Sequence, residues 1–363
     1  MALETCTVNN MTNKSRVHWI DIVKGILVLL MVLGHIPNIA SRQGIDESFL
    51  VKCIFFTSIY TCFFMQAFLI LTGYTSNFDK KPIDFYTSIL KTLIIPWFSF
   101  SIISKCISFL FLDASWFYTF ENDRYFFLFE DYWFLHVIIL SKIAYYYIYK
   151  YINNDITRAS ILLVLMIIGF GLFAHQRSNE HMYHYHNYLH YKDFLCMAFW
   201  IFWGNWLKRA NLVNKLKVGH IVLITLLYIG GHVIRFALRI NNIDNIYITP
   251  VVISHSCNIS SIVQVPTYIF YVITGSLSIF GITKYIGHNR PLEYFGRNSL
   301  TVYCVHFVIL NALTLLVYEV IQPNNFFMAL LFICMVFILC ILSCWCICYI
   351  TKFKPFNYLI GKF

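Results

Sequence analysis

About ten stretches of this 363-residue chain stay apolar for long enough to cross some 30 Å of hydrocarbon, and the loops between them alternate between basic and acidic. Such runs bury their backbone polar groups only by folding as helices. With 59% of residues hydrophobic and 12% charged, a soluble domain could not hide the apolar surface, so the sequence predicts an all-α, polytopic integral membrane protein. The expected helices centre near Leu29, Phe63, Phe98, Leu140, Ile167, Phe199, Ile224, Val272, Leu310 and Phe337. Lys14 and Arg16, Lys80 and Lys81, Lys150 and Arg158, Lys208 to Lys217, Lys284 to Arg297, and Lys352 to Lys362 fill every second loop and the tails. Asp46, Glu47, Asp113, Glu121, Asp123, Glu130 and Asp131 fall in the loops between. By the positive-inside rule both termini are then cytoplasmic. One domain is expected over 1–363, with cytoplasmic tails at 1–17 and 352–363 and no linker or repeat.

The formal charge of +10 does not indicate nucleic acid, because the basic residues are dispersed over loops and form no single face. No cleavable leader is expected: the first apolar run follows Lys14-Ser15-Arg16 and lacks a small-residue cleavage site. The chain has twelve cysteines, and most, including Cys62, Cys196, Cys304 and Cys340, lie inside apolar runs and read as free thiols serving as small core residues. Cys344, Cys346 and Cys348 are spaced by two, which scatters them around a helix and makes a poor metal site.

The first run carries Asp21, Lys24 and His35, groups that hydrocarbon tolerates only with partners or water. Lys24 and His35 are separated by 11 positions, which places them within about 20° of one helix face and about 16 Å apart along it. Asp21 lies one turn before Lys24 and can pair with it. If the helix runs outward, Lys24 sits at inner-leaflet depth and His35 near the outer surface, an arrangement suited to an enzyme with a cytosolic donor and an external acceptor. The plain alternative is a Lys24 that snorkels to the interface with Asp21 beside it.

The Asp-x-x-(Arg/Lys)-Gly start and the (Arg/Lys)-x10-His spacing resemble the first helix of the membrane-bound acyltransferase-3 family, whose members acylate surface glycans, lipids and antibiotics. Phe295-Gly296-Arg297-Asn298-Ser299-Leu300, followed by Tyr303 and His306, is similar to that family's entry to its penultimate helix. Phe68 to Tyr74, with Thr72-Gly73, resembles its Phe-rich Ser-Gly-Phe turn. Lys91 ahead of Pro96-Trp97 resembles a basic residue preceding proline in helix three. Trp133-Phe134-Leu135, after Glu130 and Asp131, resembles an element of the polysaccharide and fucose O-acetylase-like subgroup.

The resemblance implies O-acyl transfer, with acetyl-coenzyme A as donor and a hydroxyl of a surface or lipid-linked glycan as acceptor. His35 is then the general base, or the site of an acyl-histidine intermediate. Lys24, Lys91 and Arg297 are candidates for the donor phosphates. Trp133, Glu130 and Asp131 form a candidate sugar platform, or Trp133 belongs to the interfacial aromatic belt. Asp21, Thr72, Gly73, Asn298, Ser299 and His306 are supporting residues: Asn298 or Ser299 caps the helix it opens, and His306 is structural or lines the path. No hydrolase-like domain is expected after the last helix, so transfer to the acceptor occurs in the bundle or through a partner.

His175, His181, His184, His186 and His190 form a tract that does not fit a structural zinc pattern, and it reads as a hydrophilic acceptor-binding loop; no metal is expected. The rival reading is a transporter or exporter of a glycan or lipid-linked intermediate, since intramembrane charges serve either role. A third is an assembly subunit whose charges mediate helix packing. Removal of His35 separates the first two, because a transporter does not need a base there.

Overall fold

The computed structural model describes residues 17–45, 62–111, 132–178, 191–240 and 265–361. Among these residues there is no strand. The helices, in chain order, are α1 (His18–Arg42), α2 (Phe64–Thr75), α3 (Pro82–Ile89), α4 (Ile95–Phe111), α5 (Trp133–Tyr151), α6 (Asp155–Ser178), α7 (Tyr191–Met197), α8 (Phe199–Arg209), α9 (Leu212–Lys215), α10 (Val218–Ile240), α11 (Val265–Ile286), α12 (Arg290–Arg297), α13 (Ser299–Tyr318) and α14 (Phe326–Ile350). Six of the described segments are long and apolar enough to cross a membrane: His18–Ser41, Pro82–Ser104, Asp155–Leu172, Val265–Ile286, Ser299–Tyr318 and Phe326–Ile350. The protein is a multi-pass membrane protein.

Burial sorts the helices into a centre and a rim. In α1, Ile22, Val23, Leu27, Val28, Val32 and Ile36 are all fully enclosed, so this helix is surrounded by protein. α10 instead exposes Val222, Leu226, Ile229 and Val233, spaced as one helical stripe, and α14 exposes Phe327, Leu331, Ile338 and Leu342. Apolar stripes of this kind face acyl chains, and the buried faces turn inward.

Two helix crossings are close enough to dispense with side chains. A Cβ on Gly25 of α1 would overlap the Leu292 carbonyl of α12, and one on Gly296 of α12 would overlap the Asp21 carbonyl of α1. Each glycine therefore lies four residues after the carbonyl that the other glycine meets. A second reciprocal pair joins α2 to α8, with Gly73 against the Ile201 carbonyl and Gly204 against the Ile70 carbonyl. Where lipid is as apolar as leucine, burying side chains gives helices little reason to associate, so close backbone approach through small residues supplies the contact. Gly25, Gly73 and Gly296 are there because nothing larger fits.

Three expectations about elements change. Phe63 stands at the start of α2 rather than at the centre of a helix, and the run around Phe199 is two helices that break at Ala198. Hydropathy averages over composition and does not register such breaks. α3 and α4 are joined through a π turn, Leu90–Ile94, immediately before Pro96. Pro96 has no N–H for the Thr92 carbonyl, so the hydrogen-bond ladder slips locally there. Cys62, Cys196, Cys304 and Cys340 are buried thiols, as the sequence indicates.

Candidate active site

α1 and α13 are packed together, and this brings His35 and His306 face to edge, with ring centroids 5.1 Å apart and planes inclined by 72°. His35 Nδ1 lies 2.7 Å from the Met31 carbonyl, and His306 Nδ1 lies 2.7 Å from the Tyr303 carbonyl. A carbonyl can only accept, so both Nδ1 atoms carry the proton and both Nε2 atoms keep a lone pair. A fixed tautomer whose Nε2 lone pair can accept a proton is what a general base requires. His306 is 4% exposed and its Nε2 has no hydrogen-bond partner among the described residues. A buried nitrogen in that state is costly to leave unmet, and such groups concentrate where function uses them. His306, a supporting residue in the sequence reading, thus lies in ring contact with His35.

The wall beside the pair comes from α5. Tyr132 donates its hydroxyl to the Cys304 carbonyl at 2.7 Å, and Phe134 packs on Tyr303 at 6.1 Å, one turn from His306. Trp133, half-buried between these two anchors, is thus carried to the same region. Glu130 and Asp131 lie outside the described residues, as do His181, His184, His186 and His190. Gln43 donates to the Asn311 carbonyl at 2.9 Å and ties the end of α1 to α13 on the far side of the histidines.

The His18 end of the bundle is a charged layer. Arg297 donates to Glu293 at 2.7 Å and lies 3.7 Å from Asp21, so it bridges α12 to α1. A guanidinium engaged by two carboxylates serves the frame first. Glu293 is 2% exposed on its side chain. Its burial raises the carboxyl pKa, but the nearby His18 ring and the hydrogen bonds with His288 and Arg297 outweigh that and hold it at about 2. Asn298 does not cap α13: its amide donates back to the Tyr294 carbonyl at 2.8 Å and closes α12 instead. Ser299 opens α13 behind it.

Lys24 faces a second group of cations. Lys142 of α5 is half-buried and lies within electrostatic range of Lys80 and Lys24. The turn carrying Lys80 is pinned to α5, where Tyr146, one turn beyond Lys142, donates to the Lys80 carbonyl at 3.0 Å. Cations gathered from three parts of the chain suit an anionic ligand. Lys91 is exposed in the π turn, and Thr72 bonds the Phe68 carbonyl at 2.7 Å, so its hydroxyl serves its own helix.

Sequence reasoning missed Lys142, because one lysine in an aromatic run reads as a flanking anchor. It also missed Glu293, whose partners His18 and His288 lie far away in sequence or across a turn. Glu293 and Arg297 are spaced by four, and that spacing was the available signal. A family profile described as an acyltransferase domain matches residues 17–349. No curated protein and no solved structure matches.

Proposed function

The chain belongs to the acyltransferase-3 family, and on that premise we propose that it is a membrane O-acyltransferase that moves an acyl group, acetyl in the first instance, from cytosolic acyl-coenzyme A to a hydroxyl of a surface or lipid-linked glycan. The single observation that carries this reading is the His35–His306 pair, with both Nδ1 protons committed to backbone carbonyls, at one end of a helix that also carries Lys24. His35 Nε2 takes the hydroxyl proton as the oxygen attacks the thioester carbonyl; the C–S bond then breaks, and coenzyme A leaves as its thiol, taking that proton back from His35. His306 lies against the resulting imidazolium and offers its own Nε2 lone pair. Lys24, Lys142 and Lys80 hold the donor's phosphates about 16 Å away along α1, a distance that the flexible thioester arm spans. Trp133 stacks on the acceptor sugar, with Glu130 and Asp131 accepting from its hydroxyls.

In this reading the six described spans are part of a ten-helix bundle with both termini in the cytoplasm, in the inner or plasma membrane. The alternating basic loops support that orientation. The test measures base-labile O-acetyl on the host's surface glycan in a deletion strain carrying wild type or His35→Ala at equal membrane abundance. Acetyl restored by wild type alone supports the reading, and equal restoration by both rejects His35 as the base.

A further inference from the structure

A cluster that the proposed chemistry does not use lies at the start of α1. His18 Nδ1 is 3.3 Å from Glu293 Oε2, His288 Nδ1 is 2.8 Å from Glu293 Oε1, and the two imidazole centroids are 3.7 Å apart. All three donor atoms lie within 4.8 Å of one another. They come from three places: the first residue of α1, the turn before α12, and α12 itself. Gly287, with φ of 71°, makes that turn, and Asn289 caps α12 by accepting from the Leu292 N–H at 3.1 Å. The backbone thus presents His288 toward Glu293 without help from the imidazole.

We propose that His18, His288 and Glu293 form a divalent transition-metal site of zinc type that ties the start of α1 to the turn ahead of α12. Two imidazole nitrogens and a carboxylate are a common zinc donor set, with metal–ligand bonds near 2.0–2.2 Å. Two ligands at such lengths around a tetrahedral ion stand about 3.3 Å apart. The His288–Oε1 spacing of 2.8 Å needs to open by about half an ångström, and His18 Nδ1 lies within 3.3 Å of the other oxygen of the same carboxylate. The carboxylate binds through one oxygen, because Arg297 holds Oε2 from the other side at 2.7 Å. The His288 side chain is 67% exposed, so the ion has an entry path and a position for water on that side, with His18 Nδ1 buried behind it.

An imidazole binds metal through a ring-nitrogen lone pair, and the carboxylate supplies the anionic donor beside the two rings.

The test uses full-length protein in detergent, stripped with a chelator and titrated with Co(II) while d–d absorption is followed, then displaced with Zn(II). Wild type is expected to take up one equivalent with tetrahedral bands and to unfold at higher temperature with Zn(II). His288→Ala, in an exposed turn away from the glycine crossing, is expected to lose affinity by more than tenfold, since losing even an outer partner costs 10–100-fold. His18→Ala/His288→Ala is expected to lose both the bands and the thermal shift. No stoichiometric uptake by wild type overturns the proposal. So does equal uptake by the double variant, which places the metal on other histidines, such as those between 175 and 190 or the His35–His306 pair.

Discussion

Gly296→Ala tests the frame most directly, because the atom that would have to move is a backbone carbonyl. The added Cβ would overlap the Asp21 carbonyl oxygen of α1, and its carbonyl carbon and Cα are close behind. No rotamer change relieves that contact, so α12 must shift bodily. Inserting a methyl into a closely packed crossing typically costs about 1–3 kcal/mol, a factor of roughly 5–150 in the folded ratio. The same shift stretches the Arg297–Asp21 contact, already 3.7 Å, and displaces the start of α13 that carries His306. The assay is thermal unfolding of detergent-purified protein beside membrane abundance, for Gly296→Ala, Gly25→Ala and the control Gly230→Ala. Among the described residues nothing lies within 4 Å of a Cβ on Gly230, so that change is expected to be neutral or, by helix propensity, slightly stabilising. Losses at both crossing glycines with none at the control are expected. A Gly296→Ala protein as stable and as active as wild type would refute the close crossing and the explanation of the motif glycines that rests on it.

Lys142→Met and Lys24→Met are each expected to raise the KM for acyl-coenzyme A by about tenfold with little change in kcat, as for a lost charge-assisted contact to phosphate, and steady-state kinetics in proteoliposomes checks this. Trp133→Ala is expected to weaken acceptor saturation while leaving donor KM in place; a loss of abundance without that split would assign Trp133 to packing. Arg297→Ala leaves Glu293 buried without its nearest partner, and thermal unfolding is expected to show a larger loss than Lys91→Ala, whose side chain is exposed.

The helices were legible because apolar length and alternate basic loops are one-dimensional signals. So was the Lys24–His35 spacing, since α1 is continuous from His18 to Arg42 and positions along it follow from counting. What counting could not supply was contact between helices. His306 read as a lone buried histidine, because nothing in its own helix announces that α1 passes beside it. Lys142 likewise gains meaning only from Lys24 and Lys80, which reach it from other elements. Gly25 and Gly296 are visible as small residues in charged motifs, but their reciprocal fit appears only when both helices are placed. The break at Ala198 and the π turn at Leu90–Ile94 fell below the resolution of hydropathy.

Whether His35 and His306 act as one unit is decided by a double-mutant cycle. Their rings are 5.1 Å apart and each has Nδ1 committed to a carbonyl, so the arrangement has two basic nitrogens and one task. Removing a general base typically costs about 10²–10⁴ in rate. If His306 works by stabilising the proton on His35, His306→Ala lowers kcat by a smaller factor and has no further effect once His35 is alanine. The expected result is that His35→Ala and His35→Ala/His306→Ala are equally inactive at equal abundance, with His306→Ala intermediate. Losses that multiply would show two independent contributions, and a fully active His306→Ala would return that residue to a packing role. The cycle distinguishes these cases because the two side chains touch across helices whose packing is set elsewhere, at the glycine crossing about three turns below.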